Sequence, residues 1–300
     1  MPHGWIILDK PLGLGSTQGV AAVKRVLREA GHNMKLKGGL KVGHGGTLDP
    51  LASGVLPIAI GEATKLTGRM LDADKIYRFT VRFGVETDTL DLEGKPVAES
   101  PVRPTAEEIA SLLPHFTGPI AQVPPAYSAL MVAGQRAYDL ARAGAAVELP
   151  ARQVTIHALS LNATDAESAT FTAHVSKGTY IRSLARDIAH ALGSVGTVTL
   201  LHRVKAGPFR IEQAISLDKL NEIGKGAPLE PYLLPLEAGL DDIPALSLSP
   251  EQAAAVRQGR VLSGVTLPDG PCWARLGTVP VALMEVSFGE ARVERGFNLP

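Results

Sequence analysis

The 300-residue sequence has a single cysteine, Cys272, so no disulfide can form within the chain and no cysteine-built zinc centre is available. A reducing, cytoplasmic setting fits that. No apolar run approaches the roughly 18 residues of a membrane-spanning helix. The opening MPHGWIILDK has no basic stretch followed by a long apolar core, so no signal peptide is expected. Internal repeats and low-complexity tracts are missing. Net charge is missing too, since 30 Lys+Arg balance 30 Asp+Glu. Taken alone, that balance argues against a nucleic-acid partner. Its distribution argues the other way: residues 1–210 hold 23 basic and 18 acidic side chains, and residues 211–300 hold 7 and 12. Lys10, Lys24, Arg25, Arg28, Lys35, Lys37 and Lys41 face only Asp9 and Glu29 within residues 1–46. Such asymmetry can make a phosphate-binding face on a neutral protein, while any single Lys more often belongs to a solvated charged surface.

What is present is a core-forming chain, 45% hydrophobic and 20% charged, which excludes wholesale disorder. Trp5 to Leu8 reads as a short apolar strand, ended by Lys10-Pro11 and two glycines. Ser16 or Thr17 is placed to cap a helix with Val20, Val23 and Leu27 on one face. Residues 31–46 are basic, glycine-rich and aperiodic, and read as a mobile loop. Tyr77, Phe79, Val81 and Phe83 alternate with Arg78, Thr80 and Arg82, the mark of a half-buried strand. Thr105 and Glu108 form a capping box ahead of Ile109, Leu112 and Leu113. Residues 122–149 look like an excursion between core elements. Two further strands, a helix from Thr179 stopped by Gly193 and a Pro- and Asp-rich linker at 228–250 follow. A short helix after Ser249-Pro250 and three apolar strands make a small β-rich end. Strands and helices alternate irregularly, so the fold class is α+β.

Three stretches could carry chemistry. Gly13, Gly15 and Gly19 imitate a dinucleotide-binding loop, but the spacing is wrong and no acidic residue closes a second strand. Asp49-Pro50 can be a helix start, with Gly54 ending a single turn. Alternatively Asp49 is a reacting carboxylate. Gly43, Gly45 and Gly46 allow close approach, and Leu56-Pro-Ile-Ala-Ile60 would half-bury it, so that it needs a cation or donors. Lys177-Gly-Thr-Tyr180-Ile-Arg182 leads into a helix with a ring and a guanidinium in its first turn, suited to a carboxylate and a stacked base. Arg182 could equally pair with Asp187 or solvent.

Gly43-His-Gly-Gly-Thr-Leu-Asp49-Pro-Leu-Ala-Ser-Gly-Val-Leu-Pro57 with Gly61-Glu-Ala-Thr-Lys65 resembles the signature of TruB-type tRNA pseudouridine synthases, which act on uridine 55 of the T loop. Four further stretches agree in order. They are Leu8-Asp-Lys10-Pro11, Asp74-Lys-Ile-Tyr77, Tyr127-Ser-Ala-Leu with Gly134-Gln-Arg-Ala-Tyr138, and Ser176-Lys-Gly-Thr-Tyr180-Ile-Arg182-Ser. Leu200-Leu-His-Arg203 and Gly207-Pro-Phe resemble the family's closing strand. The chain departs from the pattern in a longer basic loop at 31–42, in Met131 where lysine is usual, and in Gly45 where threonine is usual.

The resemblance implies a catalytic domain over residues 1–245, built on a mixed, largely antiparallel sheet. It implies an RNA-binding insertion at 122–150 and a PUA-like RNA-binding domain at 246–300. Asp49, Tyr77 and Arg182 would be catalytic, with Arg182 set against Asp49. His44 would fill the gap left by a flipped base, Tyr77 would stack on the uracil, and Leu201 would form an apolar wall. Lys65 and Tyr180 would hold the pocket, and Lys10-Pro11 would support the Asp49 loop. Breaking and remaking one glycosidic bond balances by itself, so no cofactor or metal is expected. The expected partner is the tRNA T stem-loop, bound by a monomer with no protein partner and no membrane. A non-catalytic tRNA-folding chaperone on the same scaffold is the second reading. On either one, affinity for a tRNA transcript should fall steeply as salt rises from about 50 to 200 mM, because bound phosphates release counterions. A filter-binding series giving a flat response would count against the basic face.

Overall fold

The computed structural model describes residues 1–34, 38–132, 134–145 and 147–299. Lys35 and Lys37 of the basic loop lie outside them. The chain opens with β1 (Gly4–Lys10), enters α1 (Ser16–Glu29), and returns through β2 (Val42–His44) and β3 (Ala52–Ile60). A short α2 (Thr67–Asp72) leads to β4 (Lys75–Phe83), then to a hairpin of β5 (Val85–Thr87) and β6 (Pro96–Glu99). Next come α3 (Ala106–Leu112) and β7 (Gly118–Gln122). The following excursion carries a hairpin of β8 (Met131–Val132) and β9 (Gln135–Arg136), and α4 (Ala137–Arg142). Long antiparallel strands β10 (Arg152–Thr164) and β11 (Ser168–Val175) precede α5 (Ile181–Ala191). β12 (Gly196–Ala206), β13 (Phe209–Arg210) and α6 (Leu217–Gly224) complete this part.

Among the described residues these strands form a nine-stranded sheet in the order β1-β3-β12-β4-β11-β10-β7, with β2 on β3 and β13 on β12. Only the β3–β12 pairing is parallel; the other pairings in this sheet are antiparallel. The apolar run of β1 is unbroken because both its faces are buried. Ile6 and Leu8 join the core under α1, α5 and α6, with Val23, Leu27, Leu184 and Leu220. Trp5 and Ile7 point the other way, into a second cluster with Phe209, Leu236, Leu240, Leu283 and Phe297. Each such side chain contributes roughly 1.5–3 kcal/mol by leaving water.

A second, five-stranded sheet forms from β14 (Ala245–Ser247), β15 (Leu262–Ser263), β16 (Gly270–Leu276), β17 (Val279–Ser287) and β18 (Glu290–Gly296), with α7 (Pro250–Arg257) against it. Ser249 caps α7 by accepting from the Gln252 amide, and Gly259 follows with φ +76°. Thr105 and Glu108 make a reciprocal box at the start of α3.

Three sequence expectations change. Ser16 is the first residue of α1 rather than its cap; Gly15 holds the cap position, and the Ser16 hydroxyl is used elsewhere. The glycine-rich 31–46 segment ends in a true strand, because β2 finds the free amides of β3 at Ile58 to Ile60. Residues 228–250 are not a loose linker. Leu234 exchanges backbone hydrogen bonds with Trp5 (2.8 and 2.9 Å), and the Trp5 indole donates to the Leu236 carbonyl at 3.1 Å.

Gly54 pairs with Arg203 across the parallel junction at φ +100°, and a Cβ there would lie 2.3 Å from the Arg203 carbonyl oxygen. Gly54→Ala should therefore destabilise the protein by about 2 kcal/mol or more. Urea unfolding with an unchanged midpoint would contradict that.

Candidate active site

Asp49 lies in the turn between β2 and β3, and its carbonyl accepts the Ala52 amide at 3.0 Å. No helix begins there, so the capping alternative is removed. Five consecutive carbonyls around it are each held. Arg203 donates to Gly46 and Thr47, both at 3.2 Å. The Ser16 hydroxyl donates to Leu48 at 2.9 Å and accepts the Leu48 amide at 2.8 Å. After the Asp49–Ala52 bond, Pro50 accepts from Lys10 Nζ at 3.3 Å and from the Gly13 amide at 2.8 Å. Gly46 takes φ +128°, a backbone conformation that residues with a Cβ rarely adopt. At Gly45 a Cβ would lie 2.7 Å from Met70 Cβ, so here Met70 occupies the space a threonine would need.

The Asp49 carboxylate is 43% exposed, and its Oδ2 lies 2.9 Å from Nη2 of Arg182. The Arg182 side chain is only 8% exposed. Its Nη1 donates to the Thr89 carbonyl (2.9 Å) and lies 3.4 Å from Asp91 Oδ2, while Nη2 also reaches the Tyr127 carbonyl at 3.1 Å. A buried guanidinium needs such partners, because removing it from water unpaired is costly. Asp91 is buried, and its Oδ1 accepts from Thr89 Oγ1 at 2.6 Å and from the Glu93 amide at 3.0 Å. Between them Leu90 takes φ +63°, a conformation a bulky residue adopts only when its surroundings enforce it. Asp49 is thus not the only carboxylate at the site. Arg182 faces two, the half-exposed Asp49 and the buried Asp91.

A cleft of about 320 Å³ opens on Asp49, within the size range of small-ligand sites. Tyr77 from β4, Tyr180 at the start of α5, Leu201 from β12, Arg182 and Arg203 line it. The Tyr180 amide donates to Gln122 Oε1 at 2.8 Å, which ties this wall to the start of the excursion. A second cleft of about 530 Å³ shares Asp49 and Arg182 and is bordered by Arg136, Tyr138 and Arg142 of the excursion. The Arg142 guanidinium stacks over the Tyr138 ring at 4.7 Å.

Lys10 is fully buried, and its Nζ donates to the Pro11, Leu14 and Pro50 carbonyls, which sets it beneath the Asp49 turn. Pro11 is exposed at the turn that follows β1. Two expected residues stand apart from the cleft. Lys65 pairs with Glu62 and donates to the Gly296 carbonyl, both at 2.7 Å, joining the two sheets. His44 lies on β2 opposite Ile58 and does not line the cleft. Its Nδ1 is buried with no hydrogen-bond partner among the described residues. Burial, then the charge of Arg203, hold the imidazole below its usual range. Sequence reasoning gave Asp91 and Lys75 no role at the site, Ser16 only that of a helix cap, and Arg203 only a place in the closing strand.

Residues 32–181 match the TruB family pseudouridylate synthase (N terminal domain), and residues 182–241 match the tRNA pseudouridylate synthase B C-terminal domain. The chain belongs to the TruB family. The tRNA pseudouridine synthase B of Novosphingobium aromaticivorans is 71% identical over 100% of this chain and 98% of its own length. That of Zymomonas mobilis is 58% identical over 99% and 96%. In the crystal structure of the archaeal box H/ACA sRNP Nop10-Cbf5 complex, a chain 25% identical superposes with a TM-score of 0.73, covering 99% of this chain and 86% of that one. The TruB assignment makes this a pseudouridine synthase acting on tRNA, with a large mixed sheet and a separate β-rich end.

The buried cations have a stability signature. Burial, then Arg203, push the Lys75 ammonium down from 10.5 to about 8, against the opposing pull of Asp72 and Asp74. Burial and Arg203 also bring Lys10 to about 8, against the pull of Asp49. Between about pH 8 and 10.5 the unfolded chain holds more protons at these sites, so their contribution to stability rises with pH. Lys75→Met should lessen that rise in urea midpoints measured from pH 8 to 10. An unchanged slope would contradict it.

Proposed function

We propose that this TruB-family enzyme isomerises uridine 55 in the tRNA T loop to pseudouridine. The observation that carries the reading is the 2.9 Å pairing of Asp49 with a buried Arg182 at the head of a cleft lined by two tyrosines and Leu201. The target base is stacked in the folded loop, so it is flipped into the cleft at a cost of a few kcal/mol. Tyr77 stacks on the uracil and Leu201 forms the apolar wall. Asp49, oriented by the planar fork of Arg182, supports cleavage of the N1–C1′ bond, as a glycosidase carboxylate does. The uracil turns, C5 bonds to C1′, and the C5 proton leaves to Tyr77 or solvent. The proton gained at N1 balances it, so the product is an isomer.

In this reading Asp91 keeps the Arg182 fork in place and leaves the outer carboxylate to the substrate. Residues 122–150 bring Arg136 and Arg142 to the second cleft for the tRNA backbone. Residues 246–300 supply a PUA-like RNA-binding surface. His44 would reach the vacated base position from the rim when tRNA is bound. The enzyme works as a cytoplasmic monomer.

Purified protein incubated with an unmodified tRNA transcript should yield pseudouridine at position 55. Its formation only elsewhere, or not at all, would overturn the assignment. Asp49→Asn should abolish single turnover while leaving tRNA binding largely intact. Arg182→Lys, which replaces a fork by a point charge, should lose most of its turnover, and Asp91→Asn should lose at least about tenfold. Arg186 pairs with Asp187 at 2.8 Å one turn on, so Arg186→Ala should cost little. Arg182→Lys turning over at the wild-type rate would remove Arg182 from the site.

A further inference from the structure

Away from the Asp49 cleft, Asp74, His157 and His174 bring one ligand atom each to within 4.8 Å of one another. They come from three places in the chain. Asp74 precedes β4, His157 lies on β10, and His174 lies on β11 opposite Ile76. The β10–β11 register slips between Ile156 and Ala158, so His157 is the extra residue of a bulge. In a regular ladder, neighbouring side chains point to opposite faces. At this bulge two residues, His157 and Ala158, oppose the single His174, and the two imidazoles lie on one face with ring centroids 4.8 Å apart.

Both imidazoles turn Nε2 toward the same carboxylate oxygen. Asp74 Oδ2 lies 3.1 Å from His157 Nε2 and 3.8 Å from His174 Nε2. A tetrahedral zinc ion with ligands at about 2.0–2.1 Å separates its donors by about 3.3–3.4 Å. The two distances bracket that value. The site also opens onto a cleft of about 470 Å³ lined by Asp72, Asp74, Asp241 and Asp242 together with Lys205. Asp72 is paired with Lys177 and Asp242 with Arg69, which leaves Asp74 and Asp241 as its carboxylates without a lysine or arginine pair among the described residues.

We infer that Asp74, His157 and His174 form a binding site for a divalent transition metal of the zinc type. Two imidazoles and one carboxylate suit Zn²⁺; Mg²⁺ demands oxygen donors. The fourth position faces solvent, and the exposure of Asp74 and His157, with His174 partly exposed, lets the ion enter the folded protein. Bound there, the metal cross-links β10 and β11 to the segment that leads into Lys75 and Tyr77. The site is a clip on one wall of the catalytic cleft, with no part in the isomerisation. This inference does not depend on the proposed substrate position.

Untagged full-length protein, stripped with a chelator, should bind one Zn²⁺ per chain by equilibrium dialysis. Zn²⁺ should raise the thermal midpoint by about 2 °C or more, and Mg²⁺ should leave it unchanged. His157→Ala and His174→Ala should each weaken Zn²⁺ binding by at least about tenfold and lose the thermal shift. Asp74→Asn, which keeps the shape and removes the charge, should weaken it as well. These side chains lie at the surface, so the variants should keep the wild-type circular dichroism spectrum. No stoichiometric Zn²⁺ on the wild type, or equal affinity in the His157→Ala/His174→Ala double variant, would overturn the site.

Discussion

A charge that has left water must be matched, and Arg182 is the place where this protein meets that demand. Its guanidinium gathers four distant pieces of chain: the Asp49 turn, the Thr89–Asp91 turn, Tyr127 of the excursion and the helix it rides on. Loss of any one partner would leave a buried cation short of an acceptor, so the arrangement is all-or-nothing. The Asp49 carboxylate therefore does not hold itself in place. It is aimed from behind by a group that is aimed by others.

The Asp49 turn obeys the same logic from its other side. Lys10 and Arg203 are both buried, yet each donates mainly to backbone carbonyls. Cations used this way hold a loop without neutralising the carboxylate beside it. The loop is then held at five consecutive carbonyls while keeping irregular geometry, and effective catalysis asks for such pre-set placement. Leu90 shows the associated cost, a bulky residue kept at φ +63° so that Thr89 and Asp91 both reach one guanidinium.

Much of this was legible in the sequence. Alternation in Tyr77–Phe83, the Thr105–Glu108 box and the glycine stop after α5 are local signals, and local chemistry decides them. The motif order named the family, and with it the facing pair Asp49 and Arg182. What escaped depended on contacts distant in sequence. Asp91 sits in an acidic turn that looks solvated until Arg182 arrives from 91 positions away. The Ser16 hydroxyl looked like a cap because nothing in its neighbourhood announces Leu48. Lys65 carries a motif position, but its side chain is drawn to Glu62 and Gly296. The 228–250 stretch is rich in proline, and only the docking of Leu234 and Leu236 on Trp5 shows it to be part of the core.

That docking also bears on how the protein avoids its own kind. β1 ends the order of strands in the large sheet, and an outermost strand with free amides and carbonyls is a template for pairing with another chain. Here Leu234 bonds to both polar groups of Trp5, and Ile215 takes the Asp9 amide and gives its own to Ile7. The returning chain thus spends the open edge on itself. At the opposite end β7 is only five residues long and carries Pro119, which cannot donate. The β1 border is thus closed to sideways addition, and the short, proline-bearing β7 offers little template at the other, so the sheet resists recruiting copies of itself into fibres.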